Sequence, residues 1–257
     1  MTSLYYEQTG GGPDLVLLHG WGLHGGVFRQ LMDSLSDEFC VTAIDLPGYG
    51  RSPVVSEPPS LNDMADSLAT LVAKPAVWLG WSLGGLVAMI LAMRHAELVR
   101  GLVLVAATPR FVQATDWSAG MAPETFSGFA KGLTDDCHAT LNRFVSLQSG
   151  GGNASRELIR QLREEVFKHG EPHTGTLAAG LEQLRDTDLR QSLAEIKTPT
   201  LLIHGDSDRL TPAAASEYLA QALPDAEMVL VKTAGHAPFI SHTNIVAEHI
   251  RNFVHGL

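Results

Sequence analysis

The sequence predicts an α/β fold: a mostly parallel central sheet flanked by helices, with a helical insertion. Three observations carry this. Short runs rich in Leu, Val and Ile alternate with helical patterns, as in successive strand–helix–strand units. One run leads into Gly80-Trp81-Ser82-Leu83-Gly84, a sharp turn between a strand and a helix. The alternation stops between about Phe111 and Asp186 and resumes at Thr200.

In chain order, Leu4–Gln8 is the weakest candidate strand. Leu15–Leu18 and Phe39–Ile44 follow as strong ones. Leu61, Met64, Leu68 and Leu71 then repeat at helical spacing behind Ser60, a suitable N-cap. Ala76–Leu79 reads as a buried strand before the turn, and Leu86–Met93 as the helix after it. Leu102–Val105, Thr200–Ile203 and Met228–Val231 complete the strand set. Thr211-Pro212 is expected to start a helix, with Thr as cap and Pro in its first turn. Residues 1–110 and 187–257 therefore form one core, and 111–186 a helical lid over the strand ends.

Composition narrows the function. With 257 residues, 45% of them hydrophobic and only 18% charged, the chain supports a large core and is not a disordered polyelectrolyte. Its net charge of −10 argues against a nucleic-acid binder, which must neutralise phosphates. Two lone cysteines, Cys40 and Cys137, fit a reducing compartment. The first residues lack a basic and apolar export signal, and Trp78–Met93 is too short and glycine-rich for a membrane span. A cytoplasmic enzyme is expected, with no cofactor and no metal, since no histidine pair has the spacing of a zinc site.

Ser82 is the candidate nucleophile. A serine hydroxyl is weak alone and needs a base with an orienting acid. After the strand Thr200–Ile203, Asp206 and Asp208 both offer a carboxylate. Asp208 is preferred because the acid must reach across to the base, whereas Asp206 suits a bond within its own turn. His236, in the loop after Met228–Val231, completes the order Ser, Asp, His. His242, His249 and His255 fall in the final helical segment, and His19 reads as an organiser of its loop. For the oxyanion of a tetrahedral intermediate, the backbone N–H of Leu83 follows from the turn, and that of Trp21 is the natural second donor.

These motifs resemble the α/β-hydrolase superfamily over nearly the whole chain. The carriers are His19-Gly20-Trp21-Gly22, Asp45-Leu46-Pro47-Gly48-Tyr49-Gly50-Arg51-Ser52, Gly80–Gly84, Gly205-x-x-Asp208 and Gly235-His236. More specific strings are Trp81-Ser82-Leu83-Gly84-Gly85, His236-Ala237-Pro238-Phe239-Ile240-Ser241-His242 and Arg143-Phe144-Val145-Ser146-Leu147-Gln148. They are similar to the pimeloyl-[acyl-carrier protein] methyl ester esterases of biotin synthesis. That resemblance implies hydrolysis of a methyl ester on a pimeloyl chain borne by an acyl-carrier protein. It also implies an acyl pocket lined by Phe144, Val145, Ser146, Leu147 and Gln148 beside Trp21, Ser82, Leu83 and His236. A carbon–carbon bond hydrolase, a general short-chain esterase and a low-turnover sensor of the same fold stay open. Dehalogenase and epoxide-hydrolase chemistry would want Asp where Ser82 stands.

Within the insertion, Arg156, Arg160 and Arg163 recur at helical spacing beside the apolar face Leu158, Ile159, Leu162 and Val166. Glu157, Glu164 and Glu165 are expected to point elsewhere. Four arginines, with Arg143, stand against one Glu within 143–163. A solvated helix with ion pairs accounts for this. The resemblance favours a patch of Arg143, Arg156 and Arg160 docking an acidic carrier protein. The enzyme is expected to work as a monomer.

Overall fold

The computed structural model describes residues 3–149 and 154–257. Its elements are β1 (Tyr6–Thr9), β2 (Asp14–Leu18), α1 (Arg29–Leu35), β3 (Cys40–Ile44), α2 (Leu61–Leu71), β4 (Ala76–Trp81), α3 (Leu83–Arg94) and β5 (Val99–Val105). The helices α4 (Pro123–Asp135), α5 (Cys137–Leu147), α6 (Ala154–Phe167) and α7 (Thr174–Asp186) follow. The chain ends with β6 (Thr200–Gly205), α8 (Ala214–Ala222), β7 (Ala226–Val231), α9 (Pro238–Ser241) and α10 (Thr243–His255).

One seven-stranded sheet runs β1-β3-β2-β4-β5-β6-β7, parallel throughout except that β1 is antiparallel to β3. The chain reverses its direction of growth across the sheet at β2, so the loops after β2 and β4 lie side by side. Leu18 pairs with Gly80 there, bringing His19–Gly22 against Trp81-Ser82. Ligands of open parallel sheets bind outside the strands' carboxyl ends at such a switch point.

Both faces of the sheet are covered, so its central strands are continuous apolar runs rather than alternating ones. All six residues of β4 are buried, as are all of α3 from Leu83 to Ala92. Ser60 caps α2 as its position in the sequence predicts, in a reciprocal capping box with Asp63.

Several strands extend past the apolar runs that reveal them. β5 begins at Val99, and β4 and β6 run on to Trp81 and Gly205. The first strand is displaced to Tyr6–Thr9 because it is placed by register against β3, with Tyr6 opposite Ile44, and not by a hydrophobic pattern. Thr211 does not cap a helix: α8 starts at Ala214, and Thr211's hydroxyl is engaged with Asp208 instead. The segment from Phe111 to Met121 carries isolated bridges, such as Val112 with Met121, before the four helices begin.

Core loops donate hydrogen bonds to backbone carbonyls of the insertion's helical part. Trp21 Nε1 donates to Leu177 O at 2.8 Å, His24 Nε2 to Glu165 O at 2.9 Å and the His236 N–H to Gln148 O at 2.9 Å.

Candidate active site

Ser82 sits between β4 and α3 with φ 56° and ψ −114°, a conformation that side chains rarely adopt. Two glycines make the turn possible. A Cβ at Gly80 would lie 2.3 Å from the Gly84 carbonyl oxygen, and one at Gly84 would lie 2.3 Å from Leu18 O. Both obstacles are backbone, so neither can move aside. Gly20 approaches from the other loop, where a Cβ would meet Ser82 Cβ at 3.3 Å. The N–H of Leu83, first residue of α3, has no helical partner by construction. Trp21 follows Gly20, so its backbone belongs to the same loop beside Ser82. The Trp21 ring packs edge-on against Phe144, with centroids 4.8 Å apart.

The loop after β6 supplies the acid. His236 Nδ1–H donates to Asp208 Oδ2 at 2.7 Å, and the solvent-inaccessible carboxylate also accepts from Thr211 Oγ1 at 2.8 Å. Its other oxygen accepts from the N–H groups of Leu210 at 2.8 Å and Thr211 at 3.1 Å. Burial opposes ionisation of Asp208, but the imidazoles of His236 and His204 outweigh it and hold the carboxyl well below the usual range. Asp206 is exposed and does not face His236. It accepts from Thr233 N at 2.7 Å, tying the loop after β6 to the loop after β7.

His236 is fully buried, in contact with Trp81, whose Nε1 donates to His236 O at 2.8 Å. With Nδ1 donating to Asp208, Nε2 carries the lone pair. That atom is buried and has no hydrogen-bond partner among the described residues, so no bond yet joins it to Ser82 Oγ. Such contacts are often loose without substrate.

Of the residues assigned to the acyl pocket, Phe144 reaches Trp21 and Gln148 reaches His236 through its carbonyl. Gln148 is completely buried and neither polar atom of its amide has a partner among the described residues. Val145 is buried in the core of α5, and Leu147 is half-buried. The Ser146 hydroxyl donates to Asn142 O and accepts from Arg163, a contact between α5 and α6.

The arginine stripe differs from its expected form. Arg160 is bonded to both Glu157 and Glu164, so those carboxylates turn toward it rather than elsewhere. At spacings of three and four residues they share its helix face. Arg143 is exposed with its guanidinium 5.2 Å from the Phe129 ring centroid, and Arg156 is exposed on α6.

His19 organises the loop: its Nδ1–H donates to Gly20 O at 2.8 Å and its Nε2 accepts from Leu46 N at 2.9 Å. Burial pushes its pKa down to about 4. Asp45, fully buried, holds the neighbouring loop through Gly25 N at 2.7 Å and the Arg51 backbone and guanidinium at 2.9 Å. Two site residues escape a reading of the sequence alone: His204, in contact with Asp208, and Thr211, mistaken for a cap. A histidine at the penultimate position of an otherwise apolar buried strand, four residues before the acid, was the available signal.

A sequence profile described as "alpha/beta hydrolase fold" matches residues 13–243. The chain belongs to the α/β-hydrolase family. A pimeloyl-[acyl-carrier protein] methyl ester esterase of Yersinia pseudotuberculosis serotype IB (strain PB1/+) is 43% identical over 254 residues, covering 98% of each chain. Its counterpart in Vibrio vulnificus (strain YJ016) is 38% identical with the same coverage. Among solved structures, the esterase EaEST of Exiguobacterium antarcticum superposes with a TM-score of 0.91 at 23% identity, covering 98% of this chain and 96% of its own. This last likeness concerns the α/β-hydrolase fold alone.

Proposed function

We propose that this α/β-hydrolase is a serine carboxylesterase that hydrolyses the methyl ester of pimeloyl-[acyl-carrier protein] in biotin synthesis. It frees the pimeloyl carboxylate and releases methanol. The carrying observation is Ser82 on its strained turn in the fold that brings Asp208 2.7 Å from His236. The named esterases, aligned over 98% of the chain, supply the substrate class.

Ser82 Oγ attacks the ester carbonyl carbon as His236 Nε2 takes its proton. The resulting oxyanion receives the N–H groups of Leu83 and Trp21. Collapse breaks the carbon–methoxy bond, and His236 returns the proton so that methanol leaves. Water, deprotonated by the same nitrogen, then attacks the acyl-enzyme, and Ser82 departs reprotonated. Asp208 keeps Nδ1–H pointed inward and stabilises the imidazolium formed at each stage.

Phe144 and Trp21 supply apolar walls for the acyl chain, and the unpartnered Gln148 amide is a donor and acceptor for a polar end of it. Arg143 and Arg156 give an acidic carrier protein its docking charge, with Arg160 contributing less because two carboxylates already offset it. The enzyme acts as a cytoplasmic monomer without cofactor. Among the described residues, no helix is long and apolar enough to cross a membrane. Mass spectrometry of carrier proteins bearing methyl esters of different acyl lengths tests the reading. Loss of a methyl group from the pimeloyl form is the expected result, and carriers left intact would overturn it.

A further inference from the structure

His204 is the penultimate residue of β6 and has no part in the chemistry described above. It is completely buried, and both ring nitrogens are engaged. Nε2 lies 2.8 Å from the Thr211 carbonyl oxygen, which can only accept, so Nε2 carries a hydrogen. The same nitrogen lies 3.2 Å from Asp208 Oδ2. Nδ1 lies 2.7 Å from Ser216 Oγ on α8, and a neutral imidazole satisfies this contact by accepting the hydroxyl hydrogen. Ser216 is itself completely buried. The chain of groups therefore runs Ser216, His204, Asp208, His236, entirely out of solvent.

The carboxylate needs such support. Among the described residues Asp208 pairs with no lysine or arginine, only with His204 and His236. Its orientation rests on two backbone N–H groups at Oδ1 and on Thr211 Oγ1 and the His236 imidazole at Oδ2, with His204 Nε2 packed 3.2 Å from that oxygen. His204 lies against both residues whose side chains contact His236 Nδ1, meeting Asp208 at Oδ2 and Thr211 at its carbonyl, while Thr211 Oγ1 is 3.1 Å from that nitrogen. Its N–H bonds the Thr211 carbonyl while Nε2 packs 3.2 Å from Asp208 Oδ2, so it ties the acid to the turn that carries it. A rotation of the carboxylate away from His236 would break the His204 contact as well.

We propose that His204, braced by Ser216, is a positioning residue that fixes the Asp208 carboxylate, and through it the tautomer and orientation of His236. This rests on Ser82, Asp208 and His236 being the triad. Neither His204 nor Ser216 meets the substrate.

The test uses the whole chain with p-nitrophenyl acetate as substrate. His204→Leu fills the space without the donor. It should lower kcat by about 10–100-fold, the range seen when outer partners of a functional group are removed, and leave KM nearly unchanged. His204→Gln, which places an amide N–H near the old Nε2, should recover most of the loss. The low-field proton resonance of the His236 Nδ1–H···Asp208 bond should move in the Leu variant and return in the Gln variant. If His204→Leu does not fold, Ser216→Ala is the second variant, with a smaller fall in kcat and a shift of the same resonance expected. Undiminished kcat in the folded variants, or losses equal in Leu and Gln with the resonance unmoved, would overturn the proposal and leave His204 as core filling. Labelling of the wild-type protein by a fluorophosphonate separates the two levels. No label on Ser82 removes the triad itself, whereas normal labelling with unaffected His204 variants removes only the positioning role.

Discussion

The sheet end that carries Ser82 and the helical insertion above it are held by different forces. Around Ser82 the constraints are backbone against backbone: Gly80 against Gly84 O and Gly84 against Leu18 O, each at 2.3 Å for an added Cβ. Among the insertion's helices, contacts made by side-chain ends can give way. A Cβ on Gly22 would meet Leu141 Cδ2 at 3.1 Å, and Arg160 is held by flexible carboxylates on its own helix. Rigid backbone packing fixes the geometry of the reacting atoms, and adaptable side chains shape what reaches them. Chemistry and specificity can therefore vary independently in this molecule.

The largest expected effects lie on the rigid side. Ser82→Ala or His236→Ala should each cost on the order of 10⁶ in kcat, and the double variant little more, because the residues act as a unit. Esterase kinetics on purified variants checks this, and additive losses would break the assignment. Next, Asp208→Asn should cost about 10⁴ by stabilising the wrong imidazole tautomer. Asp206→Asn, whose contacts are Ser207, Lys232 and Thr233, should retain most activity; equal losses would place the acid wrongly.

A smaller effect is thermodynamic. With its pKa at about 4 in the fold, His19 binds fewer protons than it does unfolded, where about 6.5 is usual. Its neutral form is thus fully compatible with folding above pH ~6.5, and stability falls as pH drops from there toward 4, by roughly 3 kcal/mol in all. Below that window the slope from His19 vanishes. Denaturant midpoints between pH 7 and 4 should show the loss, and His19→Gln should flatten it.

The smallest expected effect lies on the adaptable side. Arg143, Arg156 and Arg160 replaced together by Ala should raise KM for a carrier-bound ester and weaken its dependence on salt, because surface charges act within a Debye length of ~8–10 Å. Hydrolysis of p-nitrophenyl acetate should barely change. Equal losses on both substrates would show that the arginines support the insertion's packing instead of docking. Arg160→Ala alone should do less than Arg143→Ala, since Arg160 already bonds two glutamates.

The same division decides what could be read from the sequence. Gly80 and Gly84 are legible because only glycine fits there, and the strands β4 and β5 because burial on both faces demands unbroken apolar runs. β1 begins two residues after its expected start because an edge strand alternating between exposed and half-buried residues has a weak pattern. Thr211 shows a subtler limit. Thr before Pro is a local helix signal, but a buried carboxylate 2.8 Å away claims the hydroxyl first. The glutamates around Arg160 were misplaced because charge counting along a helix does not say which neighbours will pair.

One bond joins the two regions at their most sensitive point. The His236 backbone N–H donates to Gln148 O, just past the end of α5. Any excursion of that end of the insertion must release an amide belonging to His236 itself. Hydrogen–deuterium exchange at this single amide is therefore a clock for the helix that ends there, readable in the resting enzyme, and it ticks at the residue whose imidazole meets Asp208.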